Sequence, residues 1–332
     1  MIILGIESSC DETAVAIVED GKTLHSNIIS SQIEIHKQFG GVVPEIASRK
    51  HIEAICPAVY DALKEAKLNF SDIDLIGATR GPGLIGALLV GLSYGKALSF
   101  SLNLPFVGVN HMLGHICANY ITHKDLKPPF VCLLVSGGHS YLIEVKDYAD
   151  YIIHGRTRDD AAGEAFDKVA RTMGIGYPGG PVVDRLAKKG KDNLDFPRVW
   201  LEDDSYDFSF SGLKTAVLNY LNSKNQKGEE IIIEDVCASF QAAVNEVLTE
   251  KAFRLADELN LDTITISGGV SANEGLREMM ENRAKICGKE IYYPEKILCT
   301  DNAAMIASAA YFQYLKYGAD KYSIKADPNL SL

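Results

Sequence analysis

Two histidines four residues apart, His111 and His115 in Asn110-His111-Met112-Leu113-Gly114-His115, are the residues whose spacing speaks most directly of chemistry. On an α-helix, positions i and i+4 share a face, so both imidazoles can point at one metal ion. Chance pairing on a helix surface gives the same spacing. Glu7, Asp11, Glu12, Asp167 and Asp301 are carboxylates that could complete a site. Asp301 is the most suggestive, because it follows Leu298-Cys299-Thr300 and precedes the helical pattern of Asn302 to Tyr314. A helix N-cap would equally place an aspartate there. The zinc-protease signature is not met. It needs a Glu directly after the first His to serve as general base, and Met112 occupies that position.

Three small-residue turns follow apolar runs: Ser8-Ser9-Cys10-Asp11, Ser136-Gly137-Gly138 and Ser267-Gly268-Gly269. Glycine there lets backbone N–H groups approach an anion, and serine adds a hydroxyl, so each turn could cradle a phosphate. Tight turns need glycine in any case. Three such turns in one α/β chain raise the expectation of a nucleotide, which usually binds at strand ends.

The elements that must position these residues alternate between strand and helix. Ile2 to Ile6 and Thr13 to Val18 read as a hairpin, and Val131 to Val135 with Tyr141 to Val145 read as another, about 125 residues on. Between them, Ile46 to Ala66 has the pattern of an amphipathic helix, Asp74 to Thr79 of a buried strand, and Gly83 to Leu98 of a glycine-studded, tightly packed helix. Further on, helices are expected at Asp159 to Gly174, Val182 to Lys189 and Asp235 to Leu259. A loop is expected at Gly176 to Pro181, a strand at Thr263 to Ile266, and a last helix after Asp301. Such alternation predicts an α/β fold with both sheet faces covered. No Pro/Ser-rich linker separates the halves, so two lobes sharing a tight cleft are expected.

The 332 residues, 47% of them apolar, can bury a large core and exceed the usual single domain. Seven cysteines without a Cys-x-x-Cys pair suggest neither a disulfide framework nor a zinc ribbon. No run of eighteen or more apolar residues appears and the N-terminus lacks a leader pattern, so a cytoplasmic protein is expected. A net charge of −11 argues against strong unaided binding to nucleic acid. The cluster Lys168, Arg171, Arg185, Lys188, Lys189 and Lys191 is a local exception, with a solvated helix face as its plainer reading.

Taken together, eight segments resemble the tRNA N6-adenosine threonylcarbamoyltransferase family, called TsaD in bacteria. They are Glu7 to Ala14, Gly81 to Leu84, Asn110 to His115, Leu134 to His139, Gly176 to Pro181, Ser209 to Lys214, Ser267 to Asn273 and Cys299 to Ala304. As a set they span nearly the whole chain, whereas the Ser-Gly-Gly turns alone are shared with sugar and acetate kinases of the same superfold.

The resemblance implies the two-lobed actin-like ATPase (ASKHA) superfold with duplicated mixed β-sheets. The expected boundaries are an N-terminal lobe at 1–108 completed by the C-terminal helix at about 303–332, a connecting helix at 109–127 carrying the His pair, and a C-terminal lobe at 128–302 with a helical insertion at about 155–222. The implied reaction moves the threonylcarbamoyl group of threonylcarbamoyl-adenylate to the exocyclic amine of the adenosine 3′ of the anticodon, in tRNAs reading codons that begin with A, releasing AMP. His111, His115 and Asp301 would hold one iron(II) or zinc ion. Leu134, Val135, Ser136, Gly137 and Gly138 match the family's substrate loop, and Asp167, Gly180, Asp184 and Asn273 match positions that hold the nucleoside. Asp11, on the first turn, is the candidate for accepting the proton of the amine. The implied partners are a paralogous scaffold subunit of TsaB type and a small P-loop ATPase of TsaE type. This chain departs from the bacterial pattern at Leu113, where an acid is often found, and neither His is touched by that departure.

Other readings remain open on sequence. A small-molecule kinase or ATPase of the same superfold would hold magnesium through carboxylates, whereas two imidazoles favour iron or zinc. A metalloendopeptidase would lack its general base. A scaffolding paralogue would lack the His pair.

Overall fold

The computed structural model describes every residue except Asp203. In chain order the first elements are β1 (Ile2–Glu7), β2 (Glu12–Glu19), β3 (Thr23–Ser31), α1 (Ile33–His36), α2 (Pro44–Ala66), β4 (Leu75–Gly81), α3 (Ile85–Leu102), β5 (Phe106–Asn110) and α4 (His111–Thr122). Then come β6 (Phe130–Val135), β7 (Ser140–Asp147), β8 (Asp150–Arg156), α5 (Ala162–Met173), α6 (Gly179–Ala187), α7 (Ser211–Lys227) and α8 (Ile233–Glu258). The last are β9 (Thr263–Ser267), α9 (Glu274–Cys287), β10 (Glu290–Tyr292), α10 (Lys296–Cys299) and α11 (Ala303–Tyr317).

Among the described residues these strands form two sheets of the same plan, ordered β3-β2-β1-β4-β5 and β10-β9-β6-β7-β8. In the first, β1 pairs antiparallel with β2 and parallel with β4. In the second, β6 pairs antiparallel with β7 and parallel with β9. Each central strand thus has its hairpin partner on one side and a crossover strand on the other, so the duplication expected from two hairpins extends to whole sheets.

Two compact units result, one of Met1–Pro128, Asp147–Asp150 and Pro294–Leu332, the other of Pro129–Lys146 and Tyr151–Tyr293. The first unit takes in 109–127 and 294–302, segments that the sequence boundaries set apart. The reason is packing: α4 lies along α11 and touches α10, and every residue from His111 to Ile121 is buried. Asp301 therefore belongs to the same unit as the two histidines. Backbone proximity holds this arrangement together, since a Cβ on Gly5 of β1 would stand 2.4 Å from the Ala303 carbonyl oxygen at the start of α11.

Several elements differ from their sequence pattern. Helix α2 starts two residues early, at Pro44, where a missing N–H is harmless. Helix α6 begins at Gly179, inside the expected loop, because Asp167 Oδ1 accepts the Gly179 N–H at 2.6 Å. Strand β5 is fully buried and short, a continuous apolar run of the parallel kind that carries no alternation to betray it.

Helix α3 runs to Leu102 and is long and apolar enough, by length and composition, to cross a membrane. One of its faces is packed: Ala87, Leu88, Gly91, Leu92 and Gly95 are buried, and α3 lies against β1 and β4. A Cβ on Gly91 would meet Ser8 Oγ at 2.4 Å. The other face leaves Ile85, Leu89 and Phe100 exposed, Phe100 to 75%.

Candidate metal centre

Strands β1, β4 and β5 run parallel, and their carboxyl ends carry Glu7, Thr79 and Asn110, the edge where α/β sheets usually bind ligands. Strand β5 passes into α4 without a loop. Asn110 caps the helix, its Oδ1 accepting the Met112 N–H at 2.9 Å, and His111 is the first helical residue. Asp301 lies just before α11, which is capped by Asn302.

His111 Nε2 and His115 Nε2 each lie 3.3 Å from Asp301 Oδ1, and the ligand atoms of the three residues fall within 4.8 Å of one another. The other nitrogen of His111 is already fixed. Its Nδ1–H donates to Glu7 Oε2 at 2.8 Å, with Ser9 Oγ 3.2 Å away. Glu7 is fully buried and accepts further bonds from Thr79 Oγ1 at 2.6 Å and from the Ser9 N–H at 2.5 Å.

In contrast, neither ring nitrogen of the buried His115 has a hydrogen-bond partner. An unmet buried polar atom costs about 1–3 kcal/mol. A divalent ion held by the two Nε2 atoms and the Asp301 carboxylate would satisfy one of them, so the donor set fits a metal.

The charges are arranged for that exchange. Burial pushes His111 down, yet the carboxylates of Asp301 and Glu7 hold it well above the usual imidazole range. Burial works the other way on the two acids, but the His111 charge and its hydrogen bonds bring both below their usual range. His115 is lowered, first by burial and further by the charge of His111, which the nearby Asp301 carboxylate only partly offsets. A metal ion held here would take the place of the Nε2 proton of His111, so binding should strengthen as pH rises toward the raised His111 pKa.

Among the described residues no other carboxylate joins this ligand set. Glu7, a ligand candidate on sequence, instead orients His111. Asp11 is buried on the first turn, and its carbonyl oxygen accepts the Gln32 N–H at 3.0 Å. Its neighbour Glu12 is pushed up to about 9 by burial and by the charges of Asp301 and Asp11, and so carries a proton at neutral pH. The Ser8 and Ser9 hydroxyls do not cradle an anion as the sequence suggests. Ser8 Oγ donates to the Ala87 carbonyl oxygen at 2.9 Å and accepts from Gly91 N–H at 3.1 Å, while Ser9 Oγ faces His111.

The remaining candidates lie in the second unit. Leu134 and Val135 end the buried strand β6, and the Ser136 N–H closes the following turn on the His139 carbonyl oxygen at 2.8 Å. Gly137 and Gly138 are exposed, and a Cβ on either would meet nothing within 4 Å, so neither glycine is there to relieve crowding. Gly268 differs, with φ +83° and a clearance of only 2.4 Å to the Val135 carbonyl oxygen.

Asp167 reaches the start of α6. Burial raises its pKa, and the amides of Gly179 and Gly180 hold it back in part. Asp184, Gln241 and Asn273 form one network: Gln241 Nε2 donates to Asp184 Oδ1 at 3.2 Å, and Asn273 Nδ2 to Gln241 Oε1 at 2.7 Å. Asp184 also accepts the N–H groups of Glu274 and Gly275, each at 3.3 Å, and Asn273 caps α9. Gln241 was hidden in the sequence, its only signal being an amide within an otherwise apolar stretch of α8. Of the basic cluster, Lys168 pairs with Asp160 and Glu164 at 2.7 and 2.8 Å, and Lys188 pairs with Glu274.

A family model described as TsaD, tRNA N6-adenosine threonylcarbamoyltransferase, matches residues 23–308. The chain belongs to this family. A curated tRNA N6-adenosine threonylcarbamoyltransferase from Clostridioides difficile (strain 630) is 59% identical, covering 100% of this chain and 98% of the relative. One from Clostridium perfringens (strain SM101 / Type A) is also 59% identical, with the same shares covered. Among solved structures, full-length HypF in its phosphate- and nucleotide-bound form superposes with a TM-score of 0.65 at 15% identity, covering 96% of this chain and 56% of HypF. That likeness bears on fold alone, and the duplicated mixed sheets are those of the actin-like ATPase superfold.

If Glu7 orients His111 for a metal, Glu7→Gln should weaken zinc binding to the metal-free protein by about 10- to 100-fold, the usual effect of removing a partner that orients a ligand. A chelator-competition titration reads this directly, and unchanged affinity would remove Glu7 from the centre.

Proposed function

We propose that this chain transfers the threonylcarbamoyl group of threonylcarbamoyl-adenylate to the exocyclic amine of the adenosine 3′ of the anticodon, in tRNAs reading codons that begin with A, with release of AMP. The observation that carries the reading is the convergence of His111, His115 and Asp301, with His115 Nε2 buried and unmet, in a chain of this family. The ion is iron(II) or zinc, because two imidazoles and one carboxylate suit those metals better than magnesium. Once bound, it would supply Lewis-acid polarisation of the threonylcarbamoyl carbonyl, which an adenine amine needs because its lone pair is delocalised into the ring.

The chain's own groups handle the rest of the charge. The amine nitrogen bonds to the carbamoyl carbon, the bond from that carbon to the phosphate oxygen breaks, and AMP leaves with the electron pair. Exposed amides at Gly137 and Gly138 suit the phosphate. Asp167, Gly180, Asp184 and Asn273, with Gln241, are assigned to the nucleoside. The hydrogen bonds among Asp184, Gln241 and Asn273 support this by fixing those three before a ligand arrives, although Asp184 also spends its oxygens on the amides of Glu274 and Gly275. Asp11 accepts the proton lost by the amine, with the protonated Glu12 beside it sparing the turn a second negative charge.

Two measurements test these assignments. In His115→Ala, metal content should collapse while plain AMP still binds, so the affinity ratio of threonylcarbamoyl-adenylate to AMP should fall. An unchanged ratio with unchanged metal content would favour the kinase reading. For Asp11→Asn, single-turnover transfer should slow by roughly 10² to 10⁴-fold with adenylate affinity nearly intact. An equal loss of affinity would make Asp11 a binding residue.

We further assign to this chain a paralogous scaffold subunit of TsaB type and a P-loop ATPase of TsaE type, and a cytoplasmic location. The net charge of −11 supports a need for partners in holding tRNA. The exposed apolar face of α3, beside Ile52 and Tyr60 on the neighbouring α2, supports a protein–protein contact there. Leu89→Asp should weaken association with the scaffold subunit by at least about 30-fold in a calorimetric titration, as expected for a central apolar anchor. Full affinity would move the interface elsewhere.

A further inference from the structure

Beyond α11, residues 318–332 turn back along the open edge of the first sheet, where β5 would otherwise present unpaired backbone groups. The Asp320 N–H donates to the Phe106 carbonyl oxygen at 2.8 Å, and its Oδ2 accepts the Gly108 N–H at 2.9 Å. Tyr322 OH bonds Ser99 Oγ at 2.8 Å, and Lys96 Nζ donates to the Ile324 carbonyl oxygen. The Asp327 N–H then donates to the Arg80 carbonyl oxygen at 2.8 Å, and the Gly83 N–H to the Pro328 carbonyl oxygen at 3.2 Å. Residues of β4 and β5 are shaped to this passage. A Cβ on Gly108 would come 2.3 Å from Ile324 Cδ1, and one on Gly81 would come 1.9 Å from the Asp327 carbonyl oxygen.

The last contact of the strap falls on Asn110. Its Nδ2 donates to the Ser331 carbonyl oxygen at 2.9 Å, while its Oδ1 caps α4 through the Met112 N–H. The Asn110 side chain is buried, and the next residue is His111. Both ends of the amide are therefore spoken for, and the bond to Ser331 decides which end faces the helix. Glu7 fixes the His111 ring through Nδ1; Asn110 fixes the backbone from which the ring hangs. A metal ligand needs both constraints, since productive geometry tolerates only about 0.5 Å and 10–20°.

We propose that residues 327–332 act as a strap that sets the Asn110 amide, and that Asn110 is thereby a positioning residue for His111 in the metal centre. The inference rests on the metal reading of His111, His115 and Asp301. Because the strap touches no ligand atom, it acts by preorganisation, and its loss should appear as weaker metal uptake in a folded protein.

The test uses full-length, metal-free protein titrated with cobalt(II) and followed by ligand-field absorption. Asn110→Ser keeps a capping oxygen for α4 but has no carboxamide N–H to reach Ser331. Leu330→Asp lifts the strap from the other side, because the half-buried Leu330 sits close to Gly81. Each variant should bind cobalt(II) about tenfold more weakly than wild type, and the double variant no more weakly than either, because both remove one contact. Wild-type affinity in Asn110→Ser would overturn the proposal, and so would losses that multiply in the double variant. Amide exchange at Met112 gives a second reading that needs no metal: it should speed up in Leu330→Asp, and unchanged exchange there would overturn the proposal as well. His115→Ala separates the two layers of the argument. If wild type binds cobalt(II) no better than His115→Ala, the metal reading itself fails and takes this inference with it.

Discussion

Setting a buried carboxylate, a buried imidazolium and a second, partly exposed carboxylate in one row is expensive unless each charge is met, and Glu7, His111 and Asp301 meet one another at 2.8 and 3.3 Å. Much of the first unit can be understood as what is needed to keep that row together. Glu7 arrives at the end of β1, His111 at the junction of β5 and α4, and Asp301 just before α11, far apart in sequence. Only the parallel set β1, β4 and β5 brings the first two to one edge. Only the close approach of α11 to β1, which Gly5 permits, brings the third. A substitution that alters this packing would therefore disturb the charges even where it touches none of them.

The second unit solves a different problem, with one carboxylate and two carboxamides. Its network of Asp184, Gln241 and Asn273 is satisfied almost wholly within the protein, each polar atom held by an amide or a helix end. Such a network is rigid because every member is paired, and a partly paired one would be worse than an apolar core. Its stiffness holds α6, α8 and α9 in fixed relation. The Ser136 to Gly138 turn is different, with two exposed glycines and open space where side chains would be.

How much of this could be read from the sequence depended on how local each signal was. The His111 and His115 pair is a pattern within one helical turn, so spacing alone exposes it. Asp301 is as important to the centre, but 186 positions separate it from His115, and a helix N-cap explains an aspartate there equally well; the family resemblance, not the spacing, singles it out. Glu7 was visible as a carboxylate but its role was not, since ligand and orienting partner differ only in three-dimensional distance. The same holds for Asp167, whose place at the head of α6 also moved the helix start to Gly179, inside a Gly/Pro stretch that composition reads as loop. Strand β5 lacked alternation because both its faces are buried. The C-terminal segment 318–332 carries no periodicity at all, and its course along β5 follows from hydrogen bonds that only a folded edge can offer.

The duplicated sheets make the division of labour sharper. Strands β1 and β6 hold equivalent places, each leading into a small-residue turn before its hairpin partner. After β1, Glu7 bonds the Ser9 amide and the serine hydroxyls are drawn inward, to α3 and to His111, so the turn is closed and supports a charged centre. After β6, the residue matching Glu7 in this scheme is the apolar Val135, and Ser136 spends its hydroxyl on its own loop, accepting the His139 N–H at 3.2 Å. No buried acid stands at the end of this strand, and the two glycines after Ser136 stay exposed. One carboxylate at the end of a strand is thus enough to turn the same backbone plan from an open glycine turn into a closed one that braces a buried imidazole.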